Sequence, residues 1–217
     1  MKACVIIPTH NESKEIGWLV DKIRLQRFDV LVVDDGSADA TAQVAEAHGA
    51  AVIRNERNLG KGASLIKGFG YALEREYDAV ITMDGDGQHR PEDIPNFIRC
   101  AASARCAMVI GNRMQQTKNM PLERRITNAL MSWLISLIAK QKIPDTQCGF
   151  RLIKRDVLKN VQFITANIEI ESEMIIKAAR AGFVIESVPI ETVYNGEKSR
   201  IHPVKDTIRF IKFVTSV

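Results

Sequence analysis

Four short, largely apolar runs, each ended by polar or glycine-rich residues, constrain this chain more than any other feature. They are Ala3 to Ile7, Val30 to Val33, Ala51 to Arg54 and Ala79 to Met83. Continuous Val/Ile/Leu runs of this length, without polar alternation, predict strands buried on both faces of a parallel sheet. The stretches between them carry apolar residues at helical spacing. Ile16, Leu19, Val20 and Ile23 recur that way, with Ser13 as the predicted N-cap, and Gly49 is placed to stop the helix that ends near His48. Strand and helix therefore alternate, which predicts an α/β domain with a mostly parallel, Rossmann-like central sheet and helices on both faces.

In an open sheet of this kind the ligand sits outside the carboxyl ends of the strands. Pro8 to Glu12, Asp34-Asp35, the Gly60-Lys61-Gly62 loop and Asp84 to Gln88 should then converge on one rim. The segment Asp84-Gly85-Asp86-Gly87-Gln88-His89 offers two carboxylates and an amide spaced by glycines. Oxygen donors suit Mg²⁺ or Mn²⁺, and Mg²⁺ takes one or two carboxylates and completes its shell with waters and phosphates. The same residues also suit a plain Asp/Gly turn, so the spacing alone leaves both readings open.

Two common nucleotide motifs are excluded. A P-loop needs G-x-x-x-x-G-K-[ST]. Here Asn55 stands at the first glycine and Gly62 follows Lys61. The dinucleotide fingerprint is absent because Pro8-Thr9-His10-Asn11-Glu12 follows the first strand. A formal charge of +4 is compatible with anionic substrates or a membrane surface and diagnoses neither. Cys4, Cys100, Cys106 and Cys148 lack metal-ligand spacing and read as reduced thiols of a cytosolic protein. No signal peptide or transmembrane helix is expected; the longest apolar stretch, Ala129 to Ala139, is too short to span a bilayer.

The second half predicts a strand over Met108 to Ile110, a long helix from Pro121 to about Lys140, a strand through Ile153, a helix from Glu169 to Ala181 and a last strand from Phe183 to Val188. Arg124 and Arg125 fall in the first turn of the long helix, where they oppose the helix dipole unless an anion or solvent offsets them. Residues 1–200 are read as one domain. Residues 201–217 are read as a C-terminal amphipathic helix opened by Pro203. Lys205, Arg209 and Lys212 share a face of it, and Ile208, Phe210, Ile211, Phe213 and Val214 supply apolar area. That segment, with the Trp133-bearing helix as a second contact, points to a peripheral position on the cytoplasmic face of a membrane, or to packing within the protein or a homodimer.

Taken in order, Pro8 to Glu12, Val33 to Thr41, Asn58 to Gly62, Asp84 to His89, Gly111 to Arg113 and Asp145 to Arg151 resemble the motifs of family-2 glycosyltransferases of the GT-A fold. Within that family they resemble the dolichyl-phosphate mannose synthase-like group. The resemblance implies an inverting transfer of a hexose from GDP-mannose or a UDP-sugar to a polyprenyl or dolichyl phosphate, assisted by Mg²⁺ or Mn²⁺. It implies that Pro8 and Glu12 line the pocket for base and ribose, that Asp35 bonds the base, and that Lys61 flanks it. Asp84 would face ribose and metal, and Asp86 and Gln88 would hold the ion on the diphosphate. Arg113 and Arg124 match arginines that face the donor diphosphate and the acceptor phosphate. Asn128 replaces a serine common in the family, and Val193 stands where mannose synthases carry an arginine, so Lys198 or Arg200 would supply the acceptor-loop charge. The implied partners are a nucleotide-sugar donor, a lipid-phosphate acceptor, the membrane surface, and a second copy or a membrane-anchored protein; no nucleic acid is expected.

An anionic acceptor needs no general base, whereas a sugar hydroxyl needs one within hydrogen-bond reach. Asp145 is the candidate for the second case, and is equally read as a turn residue before a strand. Glu173 is a similar candidate but is read first as a solvated or capping glutamate at a helix start, His10 and His89 as loop hydrogen-bonders, and His48 as a helix-end residue. A nucleotidyltransferase is the alternative enzyme class, and a silent binding protein the alternative outside enzymes. The first would carry a glycine-rich Arg/Lys signature where Pro8 to Glu12 stand; the second would not retain Asp84, Asp86 and Gln88.

Overall fold

The computed structural model describes residues 1–103, 105–115 and 120–191. The C-terminal helix expected over 201–217, with Val193, Lys198 and Arg200, lies outside the described residues. Seven strands form one sheet: β1 (Ala3–Thr9), β2 (Asp29–Asp34), β3 (Ala51–Arg54), β4 (Ala79–Thr82), β5 (Cys106–Asn112), β6 (Arg151–Lys154) and β7 (Val184–Pro189). Their order across the sheet is β3-β2-β1-β4-β6-β5-β7. Every pairing is parallel except those of β6, which runs antiparallel to both β4 and β5. The four strands read from the amino-terminal half occupy one side of the sheet in the order 3-2-1-4. Val5, Ile6, Ile7, Leu31, Val32, Val33, Val80 and Ile81 are wholly buried, as continuous apolar strands covered on both faces must be.

The helices are α1 (Ile16–Leu25), α2 (Thr41–Ala47), α3 (Lys61–Glu74), α4 (Ile94–Ala101), α5 (Leu122–Ala139), α6 (Arg155–Asn160) and α7 (Ile170–Arg180), with a 3₁₀ turn over Pro91–Asp93 ahead of α4. Ser13 does not cap α1. The helix starts at Ile16, and Glu15 at its N-cap makes no side-chain capping bond. Ser13 instead donates its backbone N–H to Asp39 Oδ2 at 3.2 Å. The loop after β1 is thereby spent on the loop after β2, and the helix begins only where that tie ends. Asn11 and Glu12 repeat the pattern, donating N–H to Ser37 Oγ and Thr41 Oγ1, each at 2.9 Å.

β6 carries a wholly buried arginine, Arg151. Its guanidinium donates to three backbone carbonyls: Cys148 at 2.8 Å, Thr146 at 2.9 Å and Glu171 at 2.5 Å. A buried cation persists only when its donors are satisfied, and here those donors fasten the turn before β6 to the start of α7. Both of these segments border the rim.

Candidate active site

The predicted rim segments meet at the carboxyl ends of β1, β2, β4 and β5. Asp35 N–H donates to Thr9 O at 2.8 Å, so the loops after β1 and β2 leave the sheet together. His10 Nδ1 lies 3.0 Å from Asp35 O, as befits a loop hydrogen-bonder. The Asp35 carboxylate is almost completely buried. Oδ1 accepts from Asn55 Nδ2 at 2.7 Å and Leu59 N at 2.8 Å, and Oδ2 accepts from Gly60 N at 2.8 Å. Asp35 therefore fixes the Asn58-Leu59-Gly60 turn first. Gly60 has φ of +98°, a conformation that L side chains rarely adopt, and a Cβ there would lie 2.5 Å from Ala166 O.

That turn launches α3 with Lys61 as its first residue. Lys61 Nζ lies 2.5 Å from Asp84 Oδ1 and 2.5 Å from Glu171 Oε1. Burial works against the charge on Lys61, but the two carboxylates outweigh it and hold its pKa above the ordinary range. Asp84 answers in kind. Burial pushes its carboxyl up, and Lys61 more than reverses this, so it is held well below the usual carboxylate range. The fit is close: a Cβ on Gly149 would sit 2.7 Å from Asp84 Oδ2 and 3.0 Å from Lys61 Nζ. The glycine before Phe150 is what lets the Asp145-to-Arg151 segment pass over this pair.

Asp86 is placed differently. It is partly exposed, and Gln88 N donates to its Oδ1 at 3.0 Å. Its pKa is raised, first by burial and then by the negative charge of Asp84. Gly87 between them has φ of +70°, which turns the chain so that Gln88 stays at the rim, partly exposed. His89, by contrast, is buried. It accepts from Asp84 N–H through Nδ1 at 3.4 Å, and burial lowers its pKa, keeping the imidazole neutral. Among the described residues no three His, Cys, Asp or Glu side chains are grouped to hold a metal. The loop offers carboxylates and one amide, a donor set that suits a hard divalent ion sharing its shell with phosphates and water.

Arg113 and Asp145 pair with each other. Asp145 is wholly buried, with Oδ2 accepting from Arg113 Nε at 2.7 Å and Oδ1 from Nη2 at 2.9 Å. Arg113 N–H adds a third bond to Oδ2 at 3.1 Å. One edge of the guanidinium expected to face phosphate, Nε and Nη2, is taken by a carboxylate, and the carboxylate considered as a base is sealed by an arginine. The physical reason is mutual: neither charge tolerates burial without the other. Glu173 is also corrected. It is buried rather than solvated and accepts from Thr165 N at 2.9 Å, Thr165 Oγ1 at 2.5 Å and Lys177 Nζ at 2.6 Å. His48 ends α2 and pairs with Asp21 at 2.9 Å.

Arg124 and Asn128 lie one turn apart on α5, the first half-buried and the second buried. Asn128 Nδ2 is enclosed yet makes no hydrogen bond to any described residue. Glu171 is the site residue that sequence reasoning missed. Its signal was faint: Glu169, Glu171 and Glu173 alternate in sequence, but on a helix that spacing scatters side chains around the axis. Only the packing of α7 against α3 and β6 turns Glu171 toward Lys61.

Residues 4–162 match the family described as Glycosyl transferase family 2. The chain belongs to this family. It is a glycosyltransferase of the GT-A fold, in the dolichyl-phosphate mannose synthase-like group. An undecaprenyl-phosphate mannosyltransferase of Micrococcus luteus is 31% identical over 210 residues, covering 89% of this chain and 84% of that protein. A UDP-N-acetylglucosamine–dolichyl-phosphate N-acetylglucosaminyltransferase of Methanococcus voltae is 30% identical over 213 residues, covering 88% and 85%. Among solved structures, glucosyl-3-phosphoglycerate synthase from Mycobacterium tuberculosis, in complex with Mn²⁺, UDP and glucosyl-3-phosphoglycerate, superposes with a TM-score of 0.78 at 20% identity. That match covers 99% of this chain and 79% of the other, and it shows the shared fold. No helix among the described residues is long and apolar enough to cross a membrane.

Proposed function

We propose that this glycosyltransferase moves a hexose, with inversion, from a nucleotide-diphosphate sugar to a polyprenyl phosphate on the cytoplasmic face of a membrane. The observation that carries the choice of acceptor is the sealing of Asp145 by Arg113. A hydroxyl acceptor needs a base at the rim. The candidate base is buried and charge-paired, and Asp84 and Glu171 are engaged by Lys61. A phosphate acceptor arrives already anionic and needs no base. The relatives named for undecaprenyl and dolichyl phosphate support the same acceptor class.

In this reading one acceptor phosphate oxygen attacks the sugar C1 from the face opposite the leaving group. The C1–O bond to the diphosphate breaks, its electron pair leaves with the nucleoside diphosphate, and no proton moves. Asp86 and Gln88 would hold a Mg²⁺ or Mn²⁺ ion, which would offset charge on the departing diphosphate. Pro8, Glu12 and Asp35 form the nucleotide side, with Lys61 beside Asp84. Arg124 receives the acceptor phosphate, with the unsatisfied Asn128 amide one turn behind it and Lys198 and Arg200 supplying further charge. Arg113, whose Nε and Nη2 hold Asp145, meets the donor diphosphate with its remaining edge.

The test is transfer from GDP-mannose, UDP-glucose and UDP-N-acetylglucosamine to a short-chain, water-soluble polyprenyl phosphate, with and without Mn²⁺. One donor is expected to give a chelator-sensitive glycosyl phospholipid. Transfer to a free sugar hydroxyl with no product on the phosphate would overturn the reading.

A further inference from the structure

A carboxylate that meets a nucleotide base reads it by the number of N–H donors it can accept. An ionised aspartate offers about four acceptor positions, two on each oxygen. On Asp35, donors among the described residues take three of them. Oδ1 accepts from Asn55 Nδ2 at 2.7 Å and from Leu59 N at 2.8 Å, and Oδ2 accepts from Gly60 N at 2.8 Å. Only 4% of Asp35 is exposed, so little of the carboxylate is open to anything else. One acceptor position remains, on Oδ2.

Two of the three donors are backbone amides of the turn that launches α3. The third is a side chain, and it is held in one orientation. Asn55 is 2% exposed. Its Nδ2 also donates to Ser64 Oγ at 3.3 Å, and its Oδ1 accepts from Lys67 Nζ at 2.5 Å. An ammonium only donates. Lys67 therefore keeps the amide oxygen on its own side and turns the amide nitrogen toward Asp35. The flipped amide would set oxygen against carboxylate and nitrogen against ammonium. Asn55 N–H donates to Asp34 O at 2.8 Å, which ties the same residue to the end of β2. The transfer step itself uses neither Asn55 nor Lys67.

Uracil and guanine differ at the edge such a carboxylate meets. Uracil presents one N–H, at N3, between two carbonyl oxygens. Guanine presents N1–H and the N2 amino group side by side, two donors that a free carboxylate takes with both oxygens. One remaining acceptor position satisfies uracil and leaves guanine with a buried donor unpaired, which is a means of rejection. We propose that Asn55 selects the donor nucleotide: by occupying Asp35 Oδ1 it leaves a single acceptor at the base pocket, which suits uracil and rejects guanine, so the sugar donor is a UDP-sugar. This rests on the reading of Asp35 as the residue that meets the base, and it adds which base.

The test is titration calorimetry of the full-length protein with Mn²⁺ and either UDP or GDP. GDP should bind at least about tenfold more weakly than UDP, the scale of one buried donor left unpaired. Asn55→Ala returns an acceptor position to Oδ1, so the preference for UDP over GDP should shrink by at least about fivefold. A residue that only braced the turn would weaken both nucleotides alike and leave the preference as it was. Lys67→Met, at an exposed position of α3, frees the Asn55 amide to turn and should shrink the preference in the same direction by less. GDP binding as tightly as UDP to the wild-type protein overturns the proposal. So does an unchanged preference in folded Asn55→Ala or, should that variant fail to fold, in Lys67→Met. If UDP is preferred and no sugar reaches a polyprenyl phosphate, the base assignment stands and the acceptor reading falls. If the polyprenyl phosphate is glycosylated from GDP-mannose alone, the acceptor reading stands and the base assignment falls. Binding of neither nucleotide overturns both.

Discussion

The Asp84–Gln88 loop and the Arg113–Asp145 joint both hold carboxylates at the rim, and they treat charge in opposite ways. At the joint, a planar fork meets a carboxylate through two side-chain bonds and a backbone bond, all out of solvent. At the loop, Asp84 leans on a single flexible ammonium that it shares with Glu171, and Asp86 is left beside it with a raised pKa. Arg supplies a pre-organised, bidentate partner, while Lys supplies a movable point charge. The joint is complete as it stands; the loop leaves Asp86 with less compensation.

The sharpest way to break this contrast is Asp145→Asn. It leaves the Arg113 cation buried without its counter-charge, and the fold should lose about 3–5 kcal/mol, read as a fall in the urea midpoint. If turnover disappears while the midpoint stays, Asp145 is a base and the hydroxyl acceptor returns. Asp86→Ala is the converse. Turnover should fall by at least about 100-fold, on the scale of losing one stabilising group in the transition state. The melting temperature should hold or rise slightly, since a like-charge neighbour of Asp84 is removed. A melting loss as large as that of Asp145→Asn would make the two regions equivalent.

Glu173 extends the sealed class to the far side of α7. Glu173→Gln should cost about 1–3 kcal/mol near neutral pH by weakening the bonds that hold Ile164 and Thr165. Burial raises the Glu173 pKa, but Lys177 and Thr165 outweigh it and leave it lowered. A lowered folded-state pKa gives stability that is present above the ordinary glutamate range of about 4.3 and lost as pH falls through the folded value. The gap between wild type and variant should therefore close on acidification, and a gap constant down to acid pH would refute the assignment. Arg124→Lys is the smallest effect expected. It keeps the charge and loses the fork, so transfer should drop about tenfold with no change in melting. Unfolding of that variant would move Arg124 to the sealed class with Arg113.

Sequence reading reached the rim because its signals are local. Each apolar run ends in its own polar cluster, so the rim at β1, β2 and β4 follows from strand direction once the sheet is parallel. Ser13 failed as a cap because the nearest competitor, Asp39, is local only in space. The antiparallel direction of β6 was equally hidden: Arg151 to Lys154 looks like any short strand, and its sense depends on how the 145–150 turn folds back over Asp84.

By itself the sequence determined the alternation of strands and helices, the convergence of four loops, the oxygen-donor spacing of Asp84, Asp86 and Gln88, and the family those motifs spell. Periodicity and short spacing suffice for all of these, since each is a property of neighbouring residues. Tertiary structure decided the pairings. It joined Lys61 to Glu171 across 110 residues, spent Arg113 on Asp145, and turned Glu173 inward. A charged or apolar side chain acquires its role from what lies within a few ångströms, and that is set by packing between elements distant in the chain.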